Sequence, residues 1–145
     1  MAEQGSGSTE IYGTPKEIMA VIADFEAYPE WAGQLEEAKV LARDRRGRGT
    51  KVAFKLSTPL FPAEYTLAYT YVPRDGGMSW TYVEGTLEDL SGSYVLEPLD
   101  GGTTRVTYEL SVSLNVPIPG LLKRQAAKQI VKTALRDLKR RVESA

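Results

Sequence analysis

A chain of 145 residues, 42% hydrophobic and 26% charged, has the size and composition of a single globular domain. Cysteine and histidine are both absent, which excludes disulfides, thiolate and imidazole metal ligands, and any Ser-His-Asp or Cys-His catalytic arrangement within the chain. The net charge is −1, but residues 121–145 hold eight lysines and arginines against two acids. Neither a leader peptide nor a membrane-length apolar run is evident, so a cytoplasmic location is expected.

The first residues predict a loose end followed by a short strand. Residues 1–7 are small and polar and include Gly5-Ser6-Gly7, so we expect a flexible N-terminus. A strand is expected near Ser8 to Tyr12. Residues 8–145 are expected to form one domain.

The next segment predicts an amphipathic helix with a sharp end. Thr14-Pro15-Lys16-Glu17 has the form of a capping box with proline at the first helical position. Apolar residues then recur at helical spacing as far as Phe25. Pro29 prevents a simple continuation, so the helix is expected to end near Glu26, with a short helical turn possible around Pro29 to Trp31.

From Ala38 onward the pattern changes to a period of two, which predicts six or seven antiparallel strands. Polar turns containing glycine separate the strand-like runs, as at Pro73–Gly77 and Asp100–Gly102. Two of the runs are long, from Ala63 to Val72 and from Thr103 to Leu114. With the helices on either side, they indicate an α+β fold.

The segment from Leu121 to Glu143 predicts one long terminal helix of about six turns. Its apolar residues form a broad stripe, namely Leu122, Ala126, Ala127, Ile130, Val131, Ala134, Leu135, Leu138 and Val142. The basic residues on the opposite side are Arg124, Lys128, Lys132, Arg136 and Arg140. Such a face is commonly solvated surface, and contact with an anionic membrane or with a protein partner is the alternative.

The strands carry their aromatic residues on one face of the sheet and serine, threonine and charged residues on the other. The aromatic face is therefore expected to be covered and the polar face to be exposed to solvent. A single helix rarely fills a curved sheet, and phenol hydroxyls need partners or water, which favours a pocket. The alternative is a filled core in which the hydroxyls reach solvent or bond to the backbone. The residues predicted to line the cavity are Phe54, Tyr65, Tyr69, Trp80, Tyr82, Tyr94 and Tyr108 from the sheet, and Leu122, Ala126 and Ile130 from the helix.

Several segments together resemble a known superfamily. They are Thr14-Pro15-Lys16-Glu17-Ile18, Asp24-Phe25-Glu26-Ala27-Tyr28-Pro29-Glu30-Trp31, Ser79-Trp80, Gly92-Ser93-Tyr94, Thr104-Arg105-Val106-Thr107-Tyr108, Pro117 to Gly120, and Leu138-Lys139-Arg140-Arg141-Val142-Glu143. The chain resembles the SRPBCC, or START-like, superfamily, specifically the actinobacterial type of its polyketide cyclase/dehydrase and lipid-transport branch. The resemblance implies a helix-grip fold, in which a curved antiparallel sheet of six to seven strands wraps around a long C-terminal helix, with one or two short helices after the first strand. It also implies a cavity for an apolar or amphipathic ligand.

The leading hypothesis is the binding of a small hydrophobic or amphipathic ligand, such as a lipid, a quinone or a polyketide, for transport, storage or sensing. One alternative, implied by the resemblance, is a cofactor-free polyketide cyclase or dehydratase. Another is an interaction module that uses the basic terminal helix. Nucleic-acid binding is not expected, because the rest of the chain is acidic and the aromatic residues are on a covered face.

The candidates for catalysis are Glu84 and Tyr82. Strand alternation from Trp80 and Tyr82 turns Glu84 inward, where a carboxyl group beside an apolar wall is suited to proton transfer, although the following Gly85 equally allows a turn. Arg105 is predicted to face outward, so it does not supply the inward arginine or other polar side chain that the resemblance to aromatase/cyclases implies. No Walker-type glycine loop or calcium loop is present, so neither an organic cofactor nor a metal is expected.

Overall fold

A computed structural model of the protein describes residues 2–33, 35–57, 62–113 and 117–144. The strands are β1 (Glu3–Tyr12), β2 (Leu35–Arg43), β3 (Gly49–Leu56), β4 (Ala63–Val72), β5 (Gly77–Gly85), β6 (Asp89–Pro98) and β7 (Thr103–Ser113), and the helices are α1 (Pro15–Ile22) and α2 (Gly120–Glu143). The strands form one seven-stranded sheet in the order β1-β7-β6-β5-β4-β3-β2, with antiparallel neighbours. The predicted helix-grip fold is confirmed, and β1 and β2 are the two edges of the sheet.

Strand β1 begins at Glu3, inside the segment that was predicted to be flexible, and pairs with β7 along its whole length. Its glycines bring it close to α2, since a Cβ atom added to Gly5 or Gly7 would lie 3.0 Å from a methyl group of Val131. The prediction of a loose end through Gly7 is therefore wrong. The small residues that suggested flexibility serve instead to let a helix pack directly on the strand.

Helix α1 begins as predicted and ends early. The Glu17 N–H donates to the Thr14 hydroxyl at 3.2 Å, and the Thr14 N–H donates to the Glu17 carboxylate at 3.1 Å, which completes the capping box. The helix ends at Ile22 and a separate 3-10 turn over Phe25–Glu30, here the Pro29 turn, follows it. Pro29 lies inside this 3-10 turn, where its ring and missing N–H prevent an α-helix from continuing through it.

The side chains of β7 follow the predicted alternation. The buried positions are Val106, Tyr108, Leu110 and Val112, and the exposed positions between them include Arg105 and Glu109. Leu114, predicted as the last residue of this strand, lies outside the described residues. The period of two therefore identified the covered face of the sheet correctly.

Helix α2 packs chiefly against β1 and β7. Its main buried line consists of Ala127, Val131, Leu135, Leu138 and Val142. The Pro29 turn packs against β2, at the opposite edge of the sheet from β1. Between α2 and the Pro29 turn lie the aromatic side chains of the middle strands, and this is where a ligand site would be expected.

Candidate ligand-binding site

The aromatic side chains of the concave face form one continuous group, here the aromatic cluster. Its members are Phe25, Tyr28, Trp31, Phe54, Tyr65, Tyr69, Trp80, Tyr94 and Tyr108, and neighbouring ring centroids lie 4.5–6.4 Å apart. Strands β3 to β7 supply six of these rings at inward positions of the pleat, and the Pro29 turn with its flanks supplies the rest. The sheet residues predicted to share this face do so, and Tyr82 alone among them is outside the cluster.

The phenol hydroxyls of the cluster are of two kinds. The Tyr28 hydroxyl donates to the carbonyl oxygen of Ile22 and so caps the end of α1. The hydroxyls of four others, Tyr65, Tyr69, Tyr94 and Tyr108, form no hydrogen bond with a described residue. Among the described residues, every fully buried side-chain oxygen has a hydrogen-bond partner. Each of the four hydroxyls is thus available for a partner other than a described residue.

Three of these four tyrosines are buried, and Tyr65 is partly buried. Tyr69, Tyr94 and Tyr108 are only 6–8% exposed. Buried hydroxyls in proteins are normally paired with protein groups or with water. The concave face therefore combines aromatic rings with several phenol hydroxyls that have no partner among the described residues.

The phenols are held in their neutral form. Burial raises the pKa of Tyr65 to about 12. Burial, followed by the neighbouring phenols, raises the pKa values of Tyr69 and Tyr108 well above the ordinary value. For Tyr94, burial is again the larger cause of a raised pKa, and the negative charge of Asp137 adds to it. At neutral pH each hydroxyl can both donate and accept a hydrogen bond.

Asp137 on α2 is the one charged residue that is buried within the described ranges, at 7% exposed. Its Oδ2 accepts from the Gly33 N–H at 3.4 Å, and its Oδ1 lies 3.4 Å from Nε of Arg136. Both distances are long for hydrogen bonds, so the carboxylate retains accepting capacity. Its negative charge also raises the pKa of Tyr94.

Sequence reasoning did not find Asp137. The available signal was its position, since it is one of two acids in residues 121–145 and falls seven residues, or about two helical turns, after Ile130. The two residues therefore share one flank of the helix. Asp137 is buried because the chain after the Pro29 turn reaches it through Gly33, and no local pattern predicts that contact.

The helix residues predicted to line the cavity are only partly covered. Leu122 is 49% exposed and Ile130 is 40% exposed, whereas Ala126 is half-buried against the core. The prediction that Leu122 and Ile130 line the cavity is wrong, because the buried residues of α2 pack against β1 and β7 and leave these two side chains exposed. Ile130 lies on the flank of the helix that also carries Asp137.

Glu84 is exposed on the outer face of the sheet, so the prediction that it points inward is wrong. Tyr82 pairs with Leu67 and Glu84 pairs with Thr66, which leaves Val83 as an extra residue in β5. This β-bulge reverses the alternation after Tyr82. Glu84 instead lines a groove of about 330 Å³ on the outer face, among charged residues such as Lys39 and Glu64.

Tyr82, the other catalytic candidate, is half-buried at the rim, and its hydroxyl donates to the carbonyl oxygen of Leu87 at 2.8 Å. That bond fixes the hydroxyl to the following turn. Arg105 is exposed as predicted, and its guanidinium lies 4.0 Å from Glu97. The four basic residues proposed for a membrane or partner contact, Arg124, Lys128, Lys132 and Arg136, are all exposed on α2.

The family model for polyketide cyclase/dehydrase and lipid transport matches residues 13–139, which include the whole concave face and most of α2. The chain belongs to this family. Family and fold together support a START-type domain that binds a hydrophobic ligand. No curated protein matches the sequence.

Solved structures confirm the START-like fold of this family member. A START superfamily protein from Mycobacterium smegmatis is similar with a TM-score of 0.88 and 22% identity over 97% of each chain. The Zhui aromatase/cyclase from a Streptomyces species has a TM-score of 0.75 and 12% identity over 99% of this chain and 94% of its own. A STAR-related lipid transfer protein fragment from Xanthomonas axonopodis has a TM-score of 0.71 and 18% identity over 95% and 84% of the two chains.

Within the described residues, no helix has the length and apolar character needed to cross a membrane.

Proposed function

We propose that this family member binds a small amphipathic ligand, such as a lipid, a quinone or a polyketide, between the aromatic cluster and α2, for transport, storage or sensing. The observation that carries the proposal is the set of four phenols, three of them buried and Tyr65 partly buried, whose hydroxyls have no partner among the described residues. A core that only stabilises the fold would be expected to use phenylalanine and leucine at such positions, since each unpaired hydroxyl costs about 1–3 kcal/mol.

The walls of the site favour a flat or flexible apolar body. Trp80 is central, with ring centroids 5.9 Å from Tyr69, 5.6 Å from Tyr94 and 5.5 Å from Tyr108. An apolar group placed against these rings would be removed from water at a gain of about 25 cal/mol per Å² of its surface. The aromatic walls therefore supply affinity without specifying one ligand.

The polar end determines which head group fits. Neutral phenols can donate to or accept from an alcohol, a phenol or a carbonyl group. The carboxylate of Asp137 can accept hydrogen bonds, and its negative charge, which raises the pKa of Tyr94, opposes the entry of another negative charge. A ligand with a neutral or hydrogen-bond-donating head group is therefore favoured over a carboxylate with the same tail.

Tryptophan fluorescence can test this preference. The Trp31→Phe variant leaves Trp80 as the only tryptophan, because the chain contains two, and it can be titrated at pH 7 with decanol and with decanoate. We expect saturable quenching or a spectral shift with decanol and at least tenfold weaker binding of decanoate, and we expect Asp137→Asn to reduce that difference. A tenfold ratio corresponds to about 1.4 kcal/mol.

A matched pair of tyrosine variants provides the control. Tyr94→Phe should weaken decanol binding, whereas Tyr12→Phe should not, because Tyr12 is 69% exposed on the outer surface. Decanol and decanoate that bind equally to the wild-type site would disprove the head-group selection. The absence of saturable binding by either compound would contradict the proposed function itself.

A further inference from the structure

The free edge of β1 carries main-chain groups that point away from the sheet. Lys139 Nζ donates to the carbonyl oxygen of Glu10 at 2.6 Å, and the Tyr12 N–H donates to Glu143 Oε2 at 3.0 Å. In an antiparallel strand the N–H and C=O groups of alternate residues point to the same side. The main-chain groups of Ser6 and Ser8 therefore also point to the free edge. The hydrogen bonds of Lys139 and Glu143 are made with Glu10 and Tyr12, nearer the end of the strand.

A groove of about 430 Å³ runs between this part of β1 and α2. Ser6–Thr9 form one wall, and the other wall carries four basic side chains, which are Lys128, Lys132, Arg136 and Lys139. Val131 and Leu135 also line the groove, where α2 packs on the glycines of the strand. The groove is thus apolar between the walls, basic on one side and provided with main-chain donors and acceptors on the other.

The positive charges of this groove are only partly compensated. Lys139 Nζ lies 2.9 Å from Glu143 Oε2, and Arg136 Nε lies 3.4 Å from Asp137 Oδ1. Lys128 and Lys132 form no ion pair with a residue that the structure describes. An anionic partner would therefore meet two lysines without displacing an existing acid.

The spacing of the cations matches an extended chain. Lys128, Lys132 and Arg136 are four residues apart on the helix, which is a rise of about 6 Å per step. In an extended strand, side chains on one face repeat about every 6.8 Å. Acidic side chains at alternate positions of an extended peptide would thus lie opposite successive basic residues of the helix.

We propose that the free edge of β1 and the basic row of α2 bind an extended acidic peptide of a partner protein, which adds to the sheet as a further strand. The main chain of the peptide bonds to Ser6 and Ser8, and its acidic side chains on the α2 side pair with Lys128, Lys132 and Arg136. A second copy of this chain fits less well, because pairing through the same edge would bring two basic rows together. The site is separate from the aromatic cluster and does not depend on the proposed ligand.

The test uses a fluorescein-labelled nine-residue peptide of alternating glutamate and valine, measured by fluorescence anisotropy with the full-length protein. We expect saturable binding that weakens at high salt, and at least a tenfold loss of affinity for the peptide in Lys128→Glu/Lys132→Glu. In the complex, hydrogen exchange at the Ser6 and Ser8 amides should be slower than in the free protein. The matched control is Lys16→Glu/Lys51→Glu, which reverses the charge of two exposed lysines outside the groove. This variant should bind the peptide with less than a twofold loss of affinity.

N-methylation of the peptide separates strand addition from charge attraction. Methylating the amides on the edge that faces β1 should abolish binding, whereas methylating the alternate amides should not. Equal binding of the two methylated peptides, or no saturable binding of the parent peptide, would overturn the proposal. If vesicles containing phosphatidylglycerol bind through Lys128 and Lys132 and the peptide does not, the groove contacts anionic lipid and the peptide proposal is wrong.

Discussion

The Phe25→Ala variant should lose about 3–5 kcal/mol of its free energy of unfolding. Phe25 is 1% exposed, and its ring centroid lies 4.5 Å from that of Tyr69, 5.3 Å from that of Tyr28 and 6.3 Å from that of Phe54. The ring thus connects the Pro29 turn to the sheet, and its removal leaves a cavity that rigid neighbours cannot fill. Against a typical domain stability of about 5–15 kcal/mol, this is the largest loss expected from one side chain.

Urea denaturation at neutral pH followed by circular dichroism measures this loss. Phe25→Leu is the control, because it keeps most of the apolar volume and should lose about 1–2 kcal/mol. If the free energy of unfolding falls less in Phe25→Ala than in Phe25→Leu, the ring of Phe25 does not hold the Pro29 turn against the sheet.

Alkaline pH should destabilise the folded protein steeply. The pKa of Tyr65 is raised to about 12 by burial, and the pKa values of Tyr69, Tyr94 and Tyr108 are also raised. Above the unfolded value of about 10, the unfolded chain releases phenol protons that the folded chain retains, so stability falls as pH rises. The contribution is fully present below pH 10 and is lost as pH rises through the folded pKa values, and for Tyr65 it is about 2–3 kcal/mol.

Urea midpoints measured from neutral pH to the highest pH at which the protein refolds reversibly, with phenolate absorbance as a second signal, check this expectation. Tyr65→Phe should lessen the alkaline loss of stability, and Tyr12→Phe, at an exposed position, serves as the comparison. A stability that stays constant above pH 10, or phenolate absorbance that rises without unfolding, would show that the cluster phenols titrate freely in the folded state.

Local patterns in the sequence predicted most of this architecture. The capping box at Thr14 and Glu17 fixed the start of α1, and alternation placed Trp80, Tyr94 and Tyr108 on one covered face, because a period of two follows directly from strand geometry. These inferences needed only neighbours in the sequence. The arrangement of the sheet around the C-terminal helix was predicted from the resemblance to the START-like superfamily.

The errors arose where tertiary contacts override a local pattern. A bulge at Val83 turned Glu84 outward, and a register change of this kind leaves no clear signal in an alternating sequence. The glycines of β1 suggested flexibility, although they serve close packing with Val131. Asp137 was overlooked because its burial depends on Gly33, which is distant in the sequence.

The central claim is that a small amphipathic molecule contacts the tyrosines of the aromatic cluster. Isotope-filtered nuclear Overhauser spectra of protein labelled in its tyrosine rings, with unlabelled decanol, test it directly. The account predicts cross-peaks from the decanol chain to Tyr69, Tyr94 and Tyr108 and none to Tyr12, which is 69% exposed and serves as an internal control. Cross-peaks confined to Tyr12, or equal in strength at all tyrosines, would contradict the account, because decanol would then bind the surface and leave the cluster as core.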